Sequence, residues 1–334
     1  MTRHLVGAVL AIYARSILAQ SPVILDLDLE NETNYLYDTF DYSKMGTDPG
    51  LTNPAGGFKT FAISVAVDDI VAVNGKPAKG VFLFKGFGAR LSTNPGPGST
   101  QADVNRFAAY DLYIEILQPD GTTIGTLMAT GMFGGSVPPG APATGTGTGA
   151  NFTIVGGTGA FLGARGQMVS APQKTPGVAR RLASVTEDPS NRRQKIGPSY
   201  QRWVLQVIPM VRPEVMTGET GPAVLHADFT PVTQAKPARV GEVLILNAKG
   251  LGPTKAGLPP GQTFPSEPLA VVNSPVEVLV NGTATDTINQ IGVPGTTDTY
   301  RVDFRVPDGV AAGTARVQLR AAWVEGSAVE IPIR

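Results

Sequence analysis

The chain contains no cysteine among its 334 residues. Disulfides, thiolate nucleophiles and cysteine-ligated metals are therefore excluded. Only two histidines are present, His4 and His226, so a histidine-rich metal site and any serine–histidine–aspartate triad without His226 are excluded as well. An oxygen-ligated calcium site stays open, but no Asp-x-Asp-x-Asp-Gly loop occurs. We therefore expect neither a metal nor a cofactor.

Charge is also scarce in this sequence. Lys and Arg together number 27, Asp and Glu together number 27, and charged residues make up only 16% of the chain. A neutral chain without a dense basic stripe lacks the electrostatic footprint of a nucleic-acid binder, so we expect no nucleic-acid partner. The 40 glycines and 28 prolines favour many short strands joined by turns over helices.

The first twenty residues have the order of a secretory signal peptide. Arg3 and His4 precede an apolar run over residues 5–14, and Ala19 offers a small residue for cleavage before Ser21. A membrane anchor is the alternative, but the run is shorter than a bilayer-spanning helix requires. We predict a leader over residues 1–20, a secreted, periplasmic or cell-surface location, and no stable membrane insertion.

A glycine-rich stretch over residues 151–167 organises the rest of the chain. It reads Asn-Phe-Thr-Ile-Val-Gly-Gly-Thr-Gly-Ala-Phe-Leu-Gly-Ala-Arg-Gly-Gln. The β-branched run that stops at Gly156 and resumes at Ala160 predicts a hairpin between two strands. A phosphate cradle at Gly156-x-x-Gly159 would need a helix directly after the glycines. The residues that follow have no 3.6-residue period, so we reject that interpretation.

This hairpin resembles the signature of the allene oxide cyclase and dirigent superfamily. The resemblance implies a closed β-barrel with a mostly apolar pocket at one mouth, where a few polar residues steer a reactive intermediate. Alternating runs between residues 58 and 211 predict about seven or eight strands, a number that suits a closed barrel. A sandwich would hold the same strands, so the barrel prediction depends on the resemblance.

The remaining segments divide the chain into further units. Residues 21–57 look like an N-terminal adaptor, in which Val23 to Leu29 alternates like a strand, and residues 58–220 form the predicted barrel. Over residues 221–334 the Gly-Leu-Gly-Pro step at 250–253 and the run from Tyr300 to Pro307 resemble Ig-like modules of secreted bacterial proteins, distantly similar to IPT/TIG domains. The predicted fold is all-β: a closed antiparallel barrel of about eight strands plus an Ig-like β-sandwich.

Candidate chemistry lies on the run from Ala109 to Ile116. Alternation puts Asp111, Tyr113 and Glu115 on one face of this strand and three aliphatic residues on the other. The polar face either meets solvent, which is usual for small barrels, or lines the cavity. In the second case Asp111 or Glu115 would serve as acid or base and Tyr113 as a hydrogen-bond donor.

Arg165 matches an arginine that recurs in the family motif. It either binds an oxyanion or a barrel carboxylate, or forms a structural salt bridge in the hairpin. His226 is expected to be a hydrogen-bonded linker residue, and Trp203 a core residue.

Two functional hypotheses from different classes follow. In the first, the barrel binds a small apolar or phenolic molecule and steers its cyclisation or coupling, an isomerase-like or dirigent-type role implied by the resemblance. In the second, the chain is a non-catalytic cell-surface or matrix protein whose modules contact proteins or polysaccharides, or assemble through exposed strand edges.

Overall fold

The structure is a computed structural model that describes residues 22–38, 61–89, 107–135, 149–171, 181–182, 201–209, 211–255, 257–259 and 261–334. The predicted leader and most of the long loops lie outside these residues. The N-terminal part contains ten strands: β1 (Val23–Asp38), β2 (Phe61–Val73), β3 (Lys76–Pro77), β4 (Lys79–Ala89), β5 (Phe107–Leu117), β6 (Thr123–Gly135), β7 (Gly149–Gly159), β8 (Arg165–Ala171), β9 (Arg181–Leu182) and β10 (Gln201–Ile208).

Eight of these strands close into an antiparallel barrel, as the sequence predicted. The order around the ring is β1, β2, β4, β5, β6, β7, β8 and β10, and β10 pairs back onto β1. The short strands β3 and β9 extend β2 and β1 at the margins. Closure removes the exposed edges that an open sheet of this size would present.

The first strand differs from the sequence prediction. We expected residues 21–57 to form an adaptor, but β1 is one stave of the barrel wall and pairs with both β10 and β2. Leu25, Leu27 and Leu29 are buried in the barrel core. Their alternation with polar residues therefore reflects an inside and an outside of the barrel.

The glycine-rich stretch joins neighbouring staves without a helix. Strand β7 pairs with β8 from Phe152↔Met168 to Ile154↔Gly166. It also continues along β6 as far as Gly159, beyond the predicted end at Gly156. Gly159 has a φ of 62°, and a turn of hydrogen-bonded backbone, rather than a helix, leads from there to β8.

The C-terminal part consists of two five-stranded sheets packed face to face and a separate two-stranded sheet. Its strands are β11 (Glu214–Val215), β12 (Thr217–Gly218), β13 (Gly221–Pro222), β14 (Val224–Leu225), β15 (Val243–Lys249), β16 (Val276–Val280), β17 (Thr283–Thr285), β18 (Thr287–Gly292), β19 (Tyr300–Arg305), β20 (Gly313–Ala321), β21 (Val324–Glu325) and β22 (Val329–Ile333). One five-stranded sheet contains β11, β14, β15, β19 and β18, and the other contains β17, β16, β20, β21 and β22. The separate two-stranded sheet contains β12 and β13.

Both sheets of this C-terminal sandwich contribute to one apolar core. Leu244 and Phe304 from the first sheet lie in the same buried cluster as Val278 and Val317 from the second. The sandwich begins before the predicted boundary at residue 221, because β11 already pairs with β15.

A hairpin of the sandwich seals one end of the barrel. Strands β20 and β21 are joined by Ala322 and Trp323, whose φ values are 46° and 64°. Positive φ at both central residues defines a type I′ turn, which usually selects Gly or Asn. Ala322 is nonetheless buried in the barrel core, and Trp323 packs against that core. The strained turn therefore places apolar atoms of the second module inside the first.

Polar contacts surround this sealed end. Lys255 pairs with Asp120 at 2.9 Å. The carbonyl oxygen of Asn273 accepts a hydrogen bond from the Gln118 side chain, and the Asn273 side-chain amide donates to the carbonyl oxygen of Thr123. Hydrogen bonds from Thr122, and from Lys255, hold the pKa of Asp120 well below its ordinary value. The turns that follow β2 and β5 also lie at this end of the barrel. Strands β1, β4, β6 and β8 run towards the opposite end and terminate there.

Glu277 of β16 links the two modules through Lys76 on the barrel and Arg320 on β20. Burial by itself raises the pKa of Glu277, but the hydrogen bonds from Lys76 and Arg320 outweigh burial, and the net pKa is lowered. A lowered carboxyl pKa in the folded state stabilises the fold above the unfolded-state pKa. That stabilisation is lost as the pH falls through the folded-state pKa.

We expect Trp323→Ala to destabilise the chain by about 2 kcal/mol or more, because it leaves a cavity against the barrel core. Phe229→Ala is a matched control, since Phe229 is another aromatic residue with positive φ (62°) but is exposed. It should cost less than about 1 kcal/mol. Urea unfolding monitored by circular dichroism measures both changes. Equal losses in the two variants would contradict the sealing role of Trp323.

We expect Glu277→Gln to lower the free energy of unfolding at pH 7 by on the order of 1 kcal/mol, since solvent screens a partly exposed pair. The difference in the free energy of unfolding from the unchanged protein should be fully present above about pH 4.3, the ordinary glutamate pKa. It should disappear in more acidic solution. Urea titrations at pH 7 and at decreasing pH measure it, with the exposed Glu219→Gln as control. A difference that persists at the lowest pH would contradict the ion-pair account.

Candidate functional site

An aromatic floor crosses the barrel interior. Trp203 of β10 stacks on Phe82 of β4, with ring centroids 5.2 Å apart and an interplanar angle of 28°. Phe152 of β7 approaches the edge of the indole at 5.7 Å and 70°. These three side chains are buried and come from separate parts of the wall. These rings and the buried aliphatic residues between them and the sealed end form one apolar core that fills this part of the barrel.

Two carboxylates face the interior next to this floor. Glu32 of β1 and Asp68 of β2 are both 0% exposed. Asp68 lies directly opposite Phe82 in the β2–β4 register, and residues opposite each other in an antiparallel pair project to the same face. Both carboxylates lie farther along their strands from the sealed end than the buried Leu29 and Ile70.

A β-bulge turns Glu32 inward. Glu30 pairs with Asp69 and Thr33 pairs with Val67, so two residues of β1, Asn31 and Glu32, oppose the single residue Asp68. Asn31 adopts a φ of 58°, and its amide donates to the Asp69 carboxylate at 2.8 Å. A bulge of this kind shifts the alternation of side chains by one position. Glu32 therefore continues the inward set that began with the leucines of β1.

Gln201 connects the carboxylate to the floor. Its side-chain amide nitrogen donates to Glu32 Oε2, and its amide oxygen accepts a hydrogen bond from Trp203 Nε1 at 2.9 Å. The amide thereby orients both the carboxylate and the indole. Such a network fixes the position of groups that would otherwise be costly to bury.

Further rings extend the wall away from the sealed end. Phe84 packs edge-on against Phe82 at 6.5 Å and against Tyr110 at 5.6 Å. Gly86 makes room for the Tyr110 ring, because a Cβ at Gly86 would lie 1.9 Å from Tyr110 Cε1. The interior thus combines aromatic faces with two carboxylates, the mixture of apolar lining and few polar groups that is typical of small-molecule sites.

The residues singled out from sequence lie on the outer face of the barrel. Asp111 and Tyr113 are exposed and Glu115 is half-buried, while Leu112, Ile114 and Ile116 fill the interior. Asp111 accepts a hydrogen bond from Thr130 Oγ1 at 3.0 Å, and Glu115 accepts one from Thr123 Oγ1 at 3.2 Å. The structure does not bring these side chains into the interior, because the apolar face of β5 is needed there. Their catalytic roles stay predictions.

Arg165 also lies outside the barrel. It is exposed, and its Nη1 donates to the carbonyl oxygens of Ala164 at 2.9 Å and Gly163 at 3.4 Å. The guanidinium therefore supports the turn that precedes β8. Among the described residues no carboxylate forms an ion pair with Arg165 within 4.0 Å.

Sequence reasoning missed Glu32 and Asp68. An acidic residue within an alternating strand is ordinarily assigned to the solvent face, and the bulge at Asn31 has no signature except an Asn that tolerates positive φ. On β2 the inward set of Ala66, Asp68 and Ile70 is less apolar than the neighbouring valines. The alternation of that strand therefore did not mark this face as the interior.

A cleft of about 400 Å³ lies between the barrel and the sandwich, beside Trp323. Four of its charged lining residues pair with one another, since Glu277 binds Lys76 and Arg320, and Arg320 also binds Glu325. The fifth, Arg212, donates to the carbonyl oxygen of Glu325 at 3.0 Å. This pairing assigns them to the junction rather than to a ligand.

His226 lies in the C-terminal sandwich and is buried. Its Nδ1 lies 2.6 Å from Glu242 Oε1, and its Nε2 lies 3.1 Å from the carbonyl oxygen of Lys236. These contacts agree with the structural role expected for His226. Across the described residues no group of three or more potential metal ligands occurs.

Comparisons with known proteins assign no family. No protein-family model matches the chain, and no curated protein matches its sequence. A solved structure of a polysaccharide lyase is similar with a TM-score of 0.17 and 9% identity, over 92% of this chain and 40% of that chain. A TM-score this low carries no argument about fold or function. In the part of the chain that the structure describes, no helix could cross a membrane.

Proposed function

We propose that the barrel binds a small apolar or phenolic molecule and steers its cyclisation or coupling. The observation that supports this proposal best is the pair of carboxylates, Glu32 and Asp68, buried beside an aromatic floor. Glu32 is held in position by the Gln201 amide. Two positioned carboxylates among aromatic rings are the few polar groups by which a small-molecule site orients its ligand.

The rings would supply contact area and the carboxylates would supply polarity. A planar apolar ligand packs against Phe84, Tyr110 and the floor, where aromatic pairs gain about 0.5–1.5 kcal/mol beyond burial. Its phenolic hydroxyl group donates to Glu32 and a second hydroxyl group donates to Asp68, and these charge-assisted hydrogen bonds fix one orientation. Holding a reactive molecule in one conformer is the main contribution that cyclisation or coupling requires. A carboxylate within reach can also accept or return a proton.

Access to this site would come from the end away from the sandwich. The other end is sealed by Ala322 and Trp323, and both carboxylates lie farther from that end than the buried Leu29 and Ile70. The allene oxide cyclase and dirigent resemblance implies a pocket at one barrel mouth, which agrees with this polarity. Export through the leader over residues 1–20 would place the activity outside the cytoplasm.

We expect coniferyl alcohol, a phenol with an apolar side chain, to bind the full chain in titration calorimetry. Glu32→Gln and Asp68→Asn should each weaken binding about 10- to 100-fold, because each removes a charge-assisted hydrogen bond worth about 1.5–3 kcal/mol. Asp111→Asn is the matched control, since this carboxylate lies on the outer face, and it should leave the affinity unchanged. Thermal melting confirms that each variant is folded.

The same titration with the methyl ether of coniferyl alcohol tests the role of the phenolic hydroxyl. The ether should bind the unchanged protein more weakly than coniferyl alcohol does. The ether and coniferyl alcohol should bind Glu32→Gln with the same affinity. If neither the phenol nor linolenic acid, an apolar chain, binds the unchanged protein, the ligand-binding proposal is wrong. A non-catalytic surface or matrix role then becomes the better explanation.

A further inference from the structure

Three apolar side chains form a contiguous exposed row on the outer wall of the barrel. Tyr113 of β5, Met128 of β6 and Val155 of β7 are 48%, 40% and 45% exposed. Tyr113 pairs directly with Met128. Met128 pairs with Gly156 next to a register shift, which brings Val155 beside it. We call these three residues the outer row. Neighbouring apolar residues exposed together mark contact surfaces more often than scattered ones do.

The two ends of the outer row carry opposite charges. At the β5 end, Asp111 and Glu115 flank Tyr113 on the same face, each about 7 Å away along the strand. At the other end, Arg165 of β8 follows Val155, because Ile154 pairs with Gly166. The Arg165 guanidinium extends over β7, since its Nη1 lies 3.9 Å from the position of a Cβ on Gly156.

This arrangement is complementary to itself under a two-fold rotation. An axis that lies in the interface, parallel to the strands and between β6 and β7, places β6 of one copy against β7 of the other and β5 against β8. Met128 of one copy then meets Val155 of the other, and Tyr113 with its flanking carboxylates meets Arg165. An isologous contact needs such a match between a surface patch and its own rotated image. Arg165 gains a tyrosine face and two carboxylates, which suit a guanidinium.

We propose that the outer row is the contact surface of a symmetric homodimer, in which Arg165 of each copy binds the Asp111–Tyr113–Glu115 face of the other. The occupant is a second copy of this chain, because the surface runs from acidic residues through apolar residues to a basic residue. A rotated copy presents the same residues in the opposite order, so that acidic residues meet basic ones. The surface of a few residues is small, so the dimer belongs with weak interfaces that dissociate on dilution. Its charged ends make the association weaken as salt is added.

Sedimentation velocity of the full chain over a range of concentrations tests this proposal. We expect a concentration-dependent shift from monomer to dimer. Met128→Glu should raise the dissociation constant at least about tenfold, because it places charge in the apolar centre of both copies. Ile288→Glu is the control, since Ile288 is an exposed apolar residue (54%) on the C-terminal sandwich. It should leave the dissociation constant unchanged.

Charge reversal tests the two-fold pairing itself. Arg165→Glu and Glu115→Arg should each weaken the dimer. A chain with both substitutions should recover it, because the two positions exchange their charges and keep the same partners. Thermal melting checks the folding of Arg165→Glu, whose guanidinium supports its own turn, and Met128→Glu provides an independent test if that variant unfolds.

A monomer at every concentration, a dimer insensitive to Met128→Glu, or an assembly larger than a dimer through this surface would overturn the proposal. The outer row lies outside the barrel, so coniferyl alcohol should bind Met128→Glu as it binds the unchanged protein. Failure of the dimer and failure of ligand binding are therefore distinguishable.

Discussion

The pairing of β1 along both of its edges is the constraint on which the rest of the structure depends. Seven staves without β1 would form an open sheet with two exposed edges, and their apolar faces would not enclose a volume. Hydrogen bonds to β10 on one side and β2 on the other close the ring. The bulge at Asn31 then shifts the side-chain alternation, so that Glu32 enters the interior where a regular strand would direct Asn31. The candidate site is therefore a consequence of how the ring closes.

The two modules give the barrel a polarity that the ring alone lacks. The β20–β21 hairpin carries two residues with positive φ, a conformation that costs roughly 1–2 kcal/mol for each residue with a side chain. Burial of Ala322 and the packing of Trp323 against the barrel core offset that cost. Because contacts across the junction offset this strain, the sandwich covers one end of the barrel in addition to forming a module of its own. The carboxylates lie farther from this seal than the buried Leu29 and Ile70.

The sequence allowed several parts of this fold to be predicted, each for a physical reason. Asn74 and Gly75 both have positive φ, as a type I′ turn requires, and this dipeptide predicted the turn. On β5 the alternation correctly separates Leu112 and Ile114 from the polar residues. Closure into a barrel rather than a sandwich depended on a resemblance, because strand count fits both.

The site itself was out of reach of the sequence pattern. A period of two defines two faces but does not say which one is enclosed, and a single bulge exchanges them. The polar face of β5 looked chemically richer, yet it faces outward because its aliphatic partner face must fill the ring. Glu32 and Asp68 could be recognised only when the register between β1 and β2 was known.

The closed ring can be tested most directly by a pair of engineered cysteines in this cysteine-free chain. Ile24 and Gln206 are register partners across the β1–β10 seam. Directly opposed residues in an antiparallel pair have Cα atoms about 4.5–5.5 Å apart, within the range that a disulfide bridges. The account predicts that Ile24→Cys with Gln206→Cys forms an intramolecular disulfide on mild oxidation, and that Ile24→Cys with Ile208→Cys, displaced by two residues, does not. Free thiols in the first pair, measured by mass spectrometry after alkylation, would contradict ring closure through β1.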